Sequence, residues 1–335
     1  MLKDILKKNT ALRRFIKKRR SKKKFMSDFI RFTEEYTELD THIKPTRHLS
    51  NIDCKMLLIV HSLEKGMSNQ KMRPFGQTKC IDLIKYIDEY KNQNTIDNYS
   101  TPFKMSVNIL REWIRVFEKN DWKSDKTYQQ VVQFINQGNF CDFDDVQVGI
   151  TAVNHKKNEG YKSFLELVNS RHSTREYLDD RINEADIDYA IEAAIKAPSA
   201  CNRQMSKVYY IQNEESIEEV KQRLVGLRNF GEGYINIFVL TFDVAMLSFD
   251  GERNQGYFNS GLFAMNLVNA FHEIGIGSCL LQWANDYKDE DEIKKIIEIP
   301  PQEKIAVVMA AGYYTPMSIS PKSNRLKINE VLRKR

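Results

Sequence analysis

Apolar residues recur along this chain at two different periods, and the change from one to the other divides it. From 26 to 150 the spacing is three or four. The stretches 54–67, 80–90, 105–117 and 128–135 each place an apolar stripe on one face of a helix. Polar stretches such as 92–101 separate them, and 151–160, with Asn154, His155, Lys156, Lys157 and Asn158 before Gly160, reads as a linker. From 161 onward, helical stretches (161–170, 184–196, 216–224, 255–274, 290–298) alternate with β-rich runs (207–212, 234–242, 305–312). That mixture predicts an α/β or α+β domain over 161–335, its sheet packed against helices.

Residues 1–25 form a third part. Leu2, Ile5, Leu6, Leu12, Phe15 and Ile16 recur at near-helical spacing among Lys3, Lys7, Lys8, Arg13, Arg14, Lys17 and Lys18, which predicts a basic amphipathic arm. Twelve of the chain's 51 Lys and Arg lie here with one acid, so the formal net charge of +6 is a basic head on a mildly acidic body. Attachment to an anionic membrane surface is one reading of the arm; a frayed, solvated segment is the other. No nucleic-acid partner is expected, because a polybasic strip supplies phosphate affinity without any motif that reads bases. With 29% charged residues, a mean hydropathy of −0.53 and no signal-like apolar stretch in residues 1–25, the expected location is cytoplasmic. The membrane reading of the arm would make it peripheral to the inner face. Cys54, Cys80, Cys141, Cys201 and Cys279 form no C-x-x-C pair, so neither a disulfide framework nor a metal site is expected.

Three short segments carry the candidate chemistry. Arg171-His172-Ser173-Thr174-Arg175 follows a predicted helix and offers two guanidiniums, a hydroxyl and an imidazole to a phosphate or other anion; ordinary surface charge is the alternative. Ala197-Pro198-Ser199-Ala200-Cys201-Asn202-Arg203-Gln204 has small residues that let a flat ring approach the backbone. Its Asn202 and Gln204 amides can pair with a heterocycle edge, or the segment is a plain helix-terminating loop. Pro321-Lys322-Ser323-Asn324-Arg325-Leu326 again brackets a hydroxyl with cations, or is an exposed tail.

In this order and spacing, the three segments resemble the nitroreductase family of FMN-dependent oxidoreductases over residues 161–332. The run 235–243, the helix 255–274 with Gly256, Gly261 and Ala264, and the Gly275-Ile276-Gly277-Ser278-Cys279 turn fit the same pattern. The resemblance implies an α+β fold, a sheet flanked by helices that dimerises, preceded here by a mostly helical region. It implies that Arg171, His172, Ser173 and Arg175 bind the FMN phosphate or the N1/O2 edge of the ring. Lys322, Ser323 and Arg325 match the second phosphate motif. Pro198, Ser199, Asn202 and Gln204 match the loop along the isoalloxazine, and Leu281 and Gln282 fall by position where backbone amides approach N5. Arg175 is the implied catalytic cation at the N1/O2 edge. NAD(P)H is the implied electron donor, and the implied assembly is a homodimer with flavin at its interface. The sequence departs from the family at Met205-Ser206, where many relatives carry Pro-Trp.

In the first half, His61-Ser62-Leu63-Glu64-Lys65-Gly66 places His61, Glu64 and Lys65 on one helix face. This stretch resembles the extension of nitroreductase-type proteins from bacterial polysaccharide-biosynthesis loci, which implies a small-molecule or glycan acceptor; an ion-paired structural corner is the alternative. The combined expectation is hydride transfer from NAD(P)H through flavin N5 to that acceptor. Two other readings stay open. One is a catalytically idle flavin-binding scaffold at a membrane glycan-assembly site. The other is a metal-dependent glycan-modifying transferase using Asp142-Phe143-Asp144-Asp145. The Gly231-Glu232-Gly233 pair precedes a strand where a dinucleotide fingerprint must follow one, so a Rossmann site is rejected.

Overall fold

A computed structural model describes residues 10–39, 49–69, 72–93, 99–153, 160–227, 230–231, 233–283 and 285–335. The first nine residues of the basic arm, and Asn154 to Asn158 of the expected linker, lie outside the described residues. Helix α1, Thr10–Leu39, runs through position 25 without a break. It meets the rest of the chain where Lys24 Nζ and Ser21 Oγ donate to the two oxygens of Asp250 at 3.0 and 3.2 Å.

Four helices then build a core of their own: α2 (Leu49–Met67), α3 (Gln77–Gln93), α4 (Thr101–Lys119) and α5 (Lys126–Gln137). Helix α4 is the hub. Phe103, Val107, Leu110 and Phe117 bury one stripe, Ile109 and Trp113 the adjoining one, against Met56 and Leu63 of α2 and Leu83 and Ile87 of α3. The start of α4 is fixed twice. Ser100 Oγ accepts the Phe103 N–H, and Pro102 occupies the first turn, where no amide donor is required.

The second core surrounds an antiparallel sheet of order β2 (Ser206–Tyr210), β3 (Asn236–Asp243), β5 (Glu303–Tyr313) and β4 (Ile276–Leu281). Strand β3 is buried on both faces, and its alternation sorts two layers. Phe238 and Leu240 face Leu267 and Phe271 of α9 (Gln255–Glu273) and Ala190 and Ala194 of α7 (Glu184–Ala194). Ile237 and Val239 face Ile217 and Val220 of α8 (Glu214–Lys221) and Ile293 of α10 (Tyr287–Ile296). The expected α+β class, with a sheet flanked by helices and preceded by a helical region, is the one observed. The segment read as a glycine turn is instead strand β4, at the sheet edge. Gly277 is required there: a Cβ would lie 2.3 Å from Thr174 Oγ1 and 2.9 Å from Tyr314 Cε1.

A small two-stranded ribbon ties the two cores together. Strand β1, Ile150–Ala152, at the start of the expected linker, pairs antiparallel with β6, Ile319–Pro321. Beyond β6 the chain returns to the helical core. Glu330 accepts the Thr101 hydroxyl at 2.6 Å, and Asp145 binds both Lys104 and Lys327.

Candidate functional site

Helix α6, Phe164–Ser170, ends as Arg171 turns extended, its N–H still donating to the Leu167 carbonyl. The following residues lie along the free edge of β4: Ser173 bridges Ser278, and the Thr174 N–H donates to the Ser278 carbonyl at 3.1 Å. From the other side the Ser320 hydroxyl of β6 donates to the Ser173 carbonyl at 2.9 Å. Segment 171–175 is therefore pinned between two strands through its backbone, which leaves the side chains of Arg171 and Arg175 free of that task.

The C-terminal motif is held the same way. The Lys322 N–H donates to the Gly149 carbonyl at 2.9 Å, continuing the β1–β6 pairing. Ser323 then adopts a left-handed backbone (φ 48°), sparsely populated for a non-glycine residue. The Arg325 guanidinium donates to the Ser323 carbonyl.

These two motifs converge. Burial lowers the pKa of the Arg171 guanidinium, Tyr314 opposes the shift, and the charge of Arg325 pushes it further down. Burial likewise lowers His172, whose Nδ1 lies 2.9 Å from the Ser170 carbonyl oxygen; Arg171 and Arg325 add to that shift. Arg171 Nε is buried without a hydrogen-bond partner. Among the described residues, no carboxylate pairs with Arg171, Arg175, Lys322 or Arg325. Cations that repel one another and lack a counter-charge are an arrangement that an anion would stabilise.

The loop 198–204 is built differently. Cys201, Asn202 and Gln204 all have positive φ (51°, 53° and 48°), three left-handed non-glycine residues in one short loop. Its shape is held by Ser199, whose carbonyl accepts the Asn202 N–H at 2.9 Å and whose Oγ accepts the Gln204 N–H at 3.0 Å. Arg203 clamps it from outside, donating to both Glu252 carboxylate oxygens at 2.8 Å and to the Met246 carbonyl at 2.8 Å. The Asn202 and Gln204 side chains are left exposed. Pro198, Ser199 and Gln204 line a cavity of about 230 Å³ with Asn259 and Phe263 of α9, and none of the four cations borders it. The structure thus brings Arg171, His172 and Arg325 together and places the ring-loop residues elsewhere on the same chain. Leu281 closes β4 with a buried side chain, and Gln282 follows it exposed.

Sequence reasoning missed two participants. Glu252 is the counter-ion that fixes the strained loop, and it carries no local motif. Lys65, on α2, comes close enough to Arg175 for that charge to depress its ammonium, after burial. The acidic loop is committed to ion pairs, Asp142 with Arg111 at 3.2 Å and Asp145 with Lys104 and Lys327. Among the described residues, no cluster of three or more His, Cys, Asp or Glu could hold a metal ion, and no helix is long and apolar enough to cross a membrane.

Residues 168–228 and 228–313 match the Nitroreductase family model. A provisionally named NAD(P)H nitroreductase of Streptococcus pyogenes serotype M6 is 24% identical over 204 residues, 51% of this chain and 99% of that protein. Among solved structures, a nitroreductase family protein from Streptococcus pneumoniae is 24% identical, covering 52% of this chain and 100% of its own, with a TM-score of 0.44. A provisionally named nitroreductase in complex with FMN, from Desulfovibrio desulfuricans, is 18% identical over 52% of this chain and 98% of its own, with a TM-score of 0.45. The match to the Nitroreductase family thus spans residues 168–313, somewhat under half of this chain.

Proposed function

We propose that this chain is an FMN-dependent oxidoreductase that takes hydride from NAD(P)H and delivers it to a small-molecule acceptor. The observation that carries the reading is the carboxylate-free convergence of Arg171, His172 and Arg325 around a buried, unpartnered Nε. That donor set suits a phosphate monoester, the anionic end of FMN, which carries about −1.5 to −2 charges at pH 7. Bound FMN would supply a ring that accepts and donates hydride, chemistry that no side chain provides.

The chain's own residues bind and orient. Arg171, Ser173, Lys322, Ser323 and Arg325 would hold the phosphate, and Arg175 would place a fixed positive charge beside the ring, where such preorganised charge acts most strongly. Pro198, Ser199, Asn202 and Gln204 would lie along the ring. Because that loop and the cations do not share a cavity in one chain, a complete site calls for two copies, each giving one half. An exposed apolar surface on α9, including Tyr257 and Phe258 (63% exposed), supports a homodimer through that helix. Phe15, Phe25 and Met26 are exposed along α1 beside Arg19, Arg20, Lys22 and Lys23, a pattern that suits an anionic bilayer surface.

The absorbance spectrum of the purified protein, with and without NADPH or NADH under anaerobic conditions, tests the enzyme reading. Flavin bands that bleach on adding either donor are expected. A colourless protein that also leaves the fluorescence of added FMN unquenched would end it.

A further inference from the structure

The helical region reaches the cation cluster directly. His61, Glu64 and Lys65 stand three and four apart on the last turns of α2, so they share a face, and α2 packs against β6. His61 Nδ1 lies 3.5 Å from Ser323 Oγ and 3.9 Å from Glu64 Oε2. Glu64 is fully buried, and its Oε1 accepts the Gly149 N–H at 3.2 Å, while the Gly149 carbonyl accepts the Lys322 N–H at 2.9 Å. A side chain of α2 thus braces the backbone at the entry to loop 322–325, and another touches the loop's hydroxyl.

Lys65 is the next residue along that face. Its ammonium makes no hydrogen bond or ion pair among the described residues, although Glu64 is adjacent in sequence. Lys65 and Arg175 lie within electrostatic reach of each other and of the buried Cys279 thiol. Lys65 stands four residues along the same face from His61, the residue beside Ser323, and within electrostatic reach of Arg175, while of the two Glu64 carboxylate oxygens Oε1 is taken by Gly149 and Oε2 has no hydrogen-bond partner.

We propose that Lys65, carried on α2 outside the nitroreductase-family match, is a further phosphate-binding residue of the flavin site, with His61 and Glu64 as the positioning residues that hold loop 322–325 against it. The helical region is then the second wall of the phosphate cradle. This rests on the FMN reading above, and it adds that the first half of the chain contributes a direct ligand.

Fluorescence titration of the full-length protein with FMN and, separately, with riboflavin, which lacks the phosphate, tests it on wild type, Lys65→Met and Lys65→Arg. Lys65→Met should weaken FMN binding by about tenfold or more, the scale of one charged hydrogen bond, and leave riboflavin binding unchanged. Lys65→Arg should restore most of the preference for FMN. Unchanged FMN affinity in Lys65→Met, or an equal loss for both ligands, overturns the proposal. Wild-type protein that does not prefer FMN to riboflavin defeats instead the phosphate-cradle reading on which it rests.

Discussion

Replacing Arg171 with methionine should make the empty protein more stable and the flavin-bound protein weaker. The guanidinium is mostly buried, its Nε has no partner, and Arg325 repels it. A buried polar group left unsatisfied costs about 1–3 kcal/mol, so a methionine of similar length recovers part of that, roughly 1–2 kcal/mol, or about 2–4 °C in melting temperature for each kcal/mol. The same change removes a charged contact to phosphate worth about 1.5–3 kcal/mol. A thirtyfold loss of affinity lies inside that range. At FMN concentrations about a hundred times the wild-type Kd, ligand stabilisation is about 2.7 kcal/mol; thirtyfold weaker binding reduces it to about 0.9 kcal/mol. Thermal melting with and without FMN therefore gives opposite signs for Arg171→Met: a higher apo midpoint and a smaller FMN-induced rise. A lower apo midpoint, or a full-sized FMN shift, refutes the reasoning.

Two other perturbations separate the parts of the site. Arg203→Ala releases the clamp on Glu252 that holds the left-handed loop 201–204. It should weaken FMN and riboflavin alike and lower turnover by up to about a hundredfold, the scale of a misplacement near 1 Å; selective loss of FMN alone would place the loop at the phosphate instead. Hydrogen bonds from Lys327 and Lys104 hold the Asp145 carboxyl at about 2, below its ordinary 3.8. A depressed folded-state value stabilises above the unfolded one and is lost as pH falls through the folded one. Urea denaturation should accordingly show Asp145→Asn less stable at pH 7 by under about 1 kcal/mol, as befits an exposed pair, with the two proteins converging near pH 2; a gap that persists there would contradict the pairing.

The amphipathic spacing of α2 to α5 and the runs that became β2, β3 and β5 were legible because each element buries a face against its neighbours, and that demand is written at short range. Strand β4 was not, because its small residues serve close approach by Thr174 and Tyr314, and Gly277 reads locally as a turn. Strands β1 and β6 are three residues each and exist only through pairing across about half of the chain. The three motif segments could be picked out by residue type, whereas the positive φ values at Cys201, Gln204 and Ser323 leave no mark in the identities of those residues; of the four left-handed positions here, Asn202 alone is a residue type that favours that region. Glu252 and Lys65 belong to the same class: one acts through a distant arginine, the other beside a distant motif, and neither sits in a pattern of its own.

What brings like charges together is the backbone. The Lys322 N–H on the Gly149 carbonyl, the Ser320 hydroxyl on the Ser173 carbonyl and the Thr174 N–H on the Ser278 carbonyl join the segments without using a single cationic side chain. Repulsion between Arg171 and Arg325 is thereby held within a frame that does not depend on any anion to form. An anion entering this frame would gain the attraction of these cations without requiring the segments to be brought together first, which is the condition for preorganised binding. The loop 198–204 stands apart from these cations. Its left-handed residues are fixed by Ser199 and by the Arg203–Glu252 pair, independent of the cradle. The two segments are therefore each held within one chain by contacts of their own.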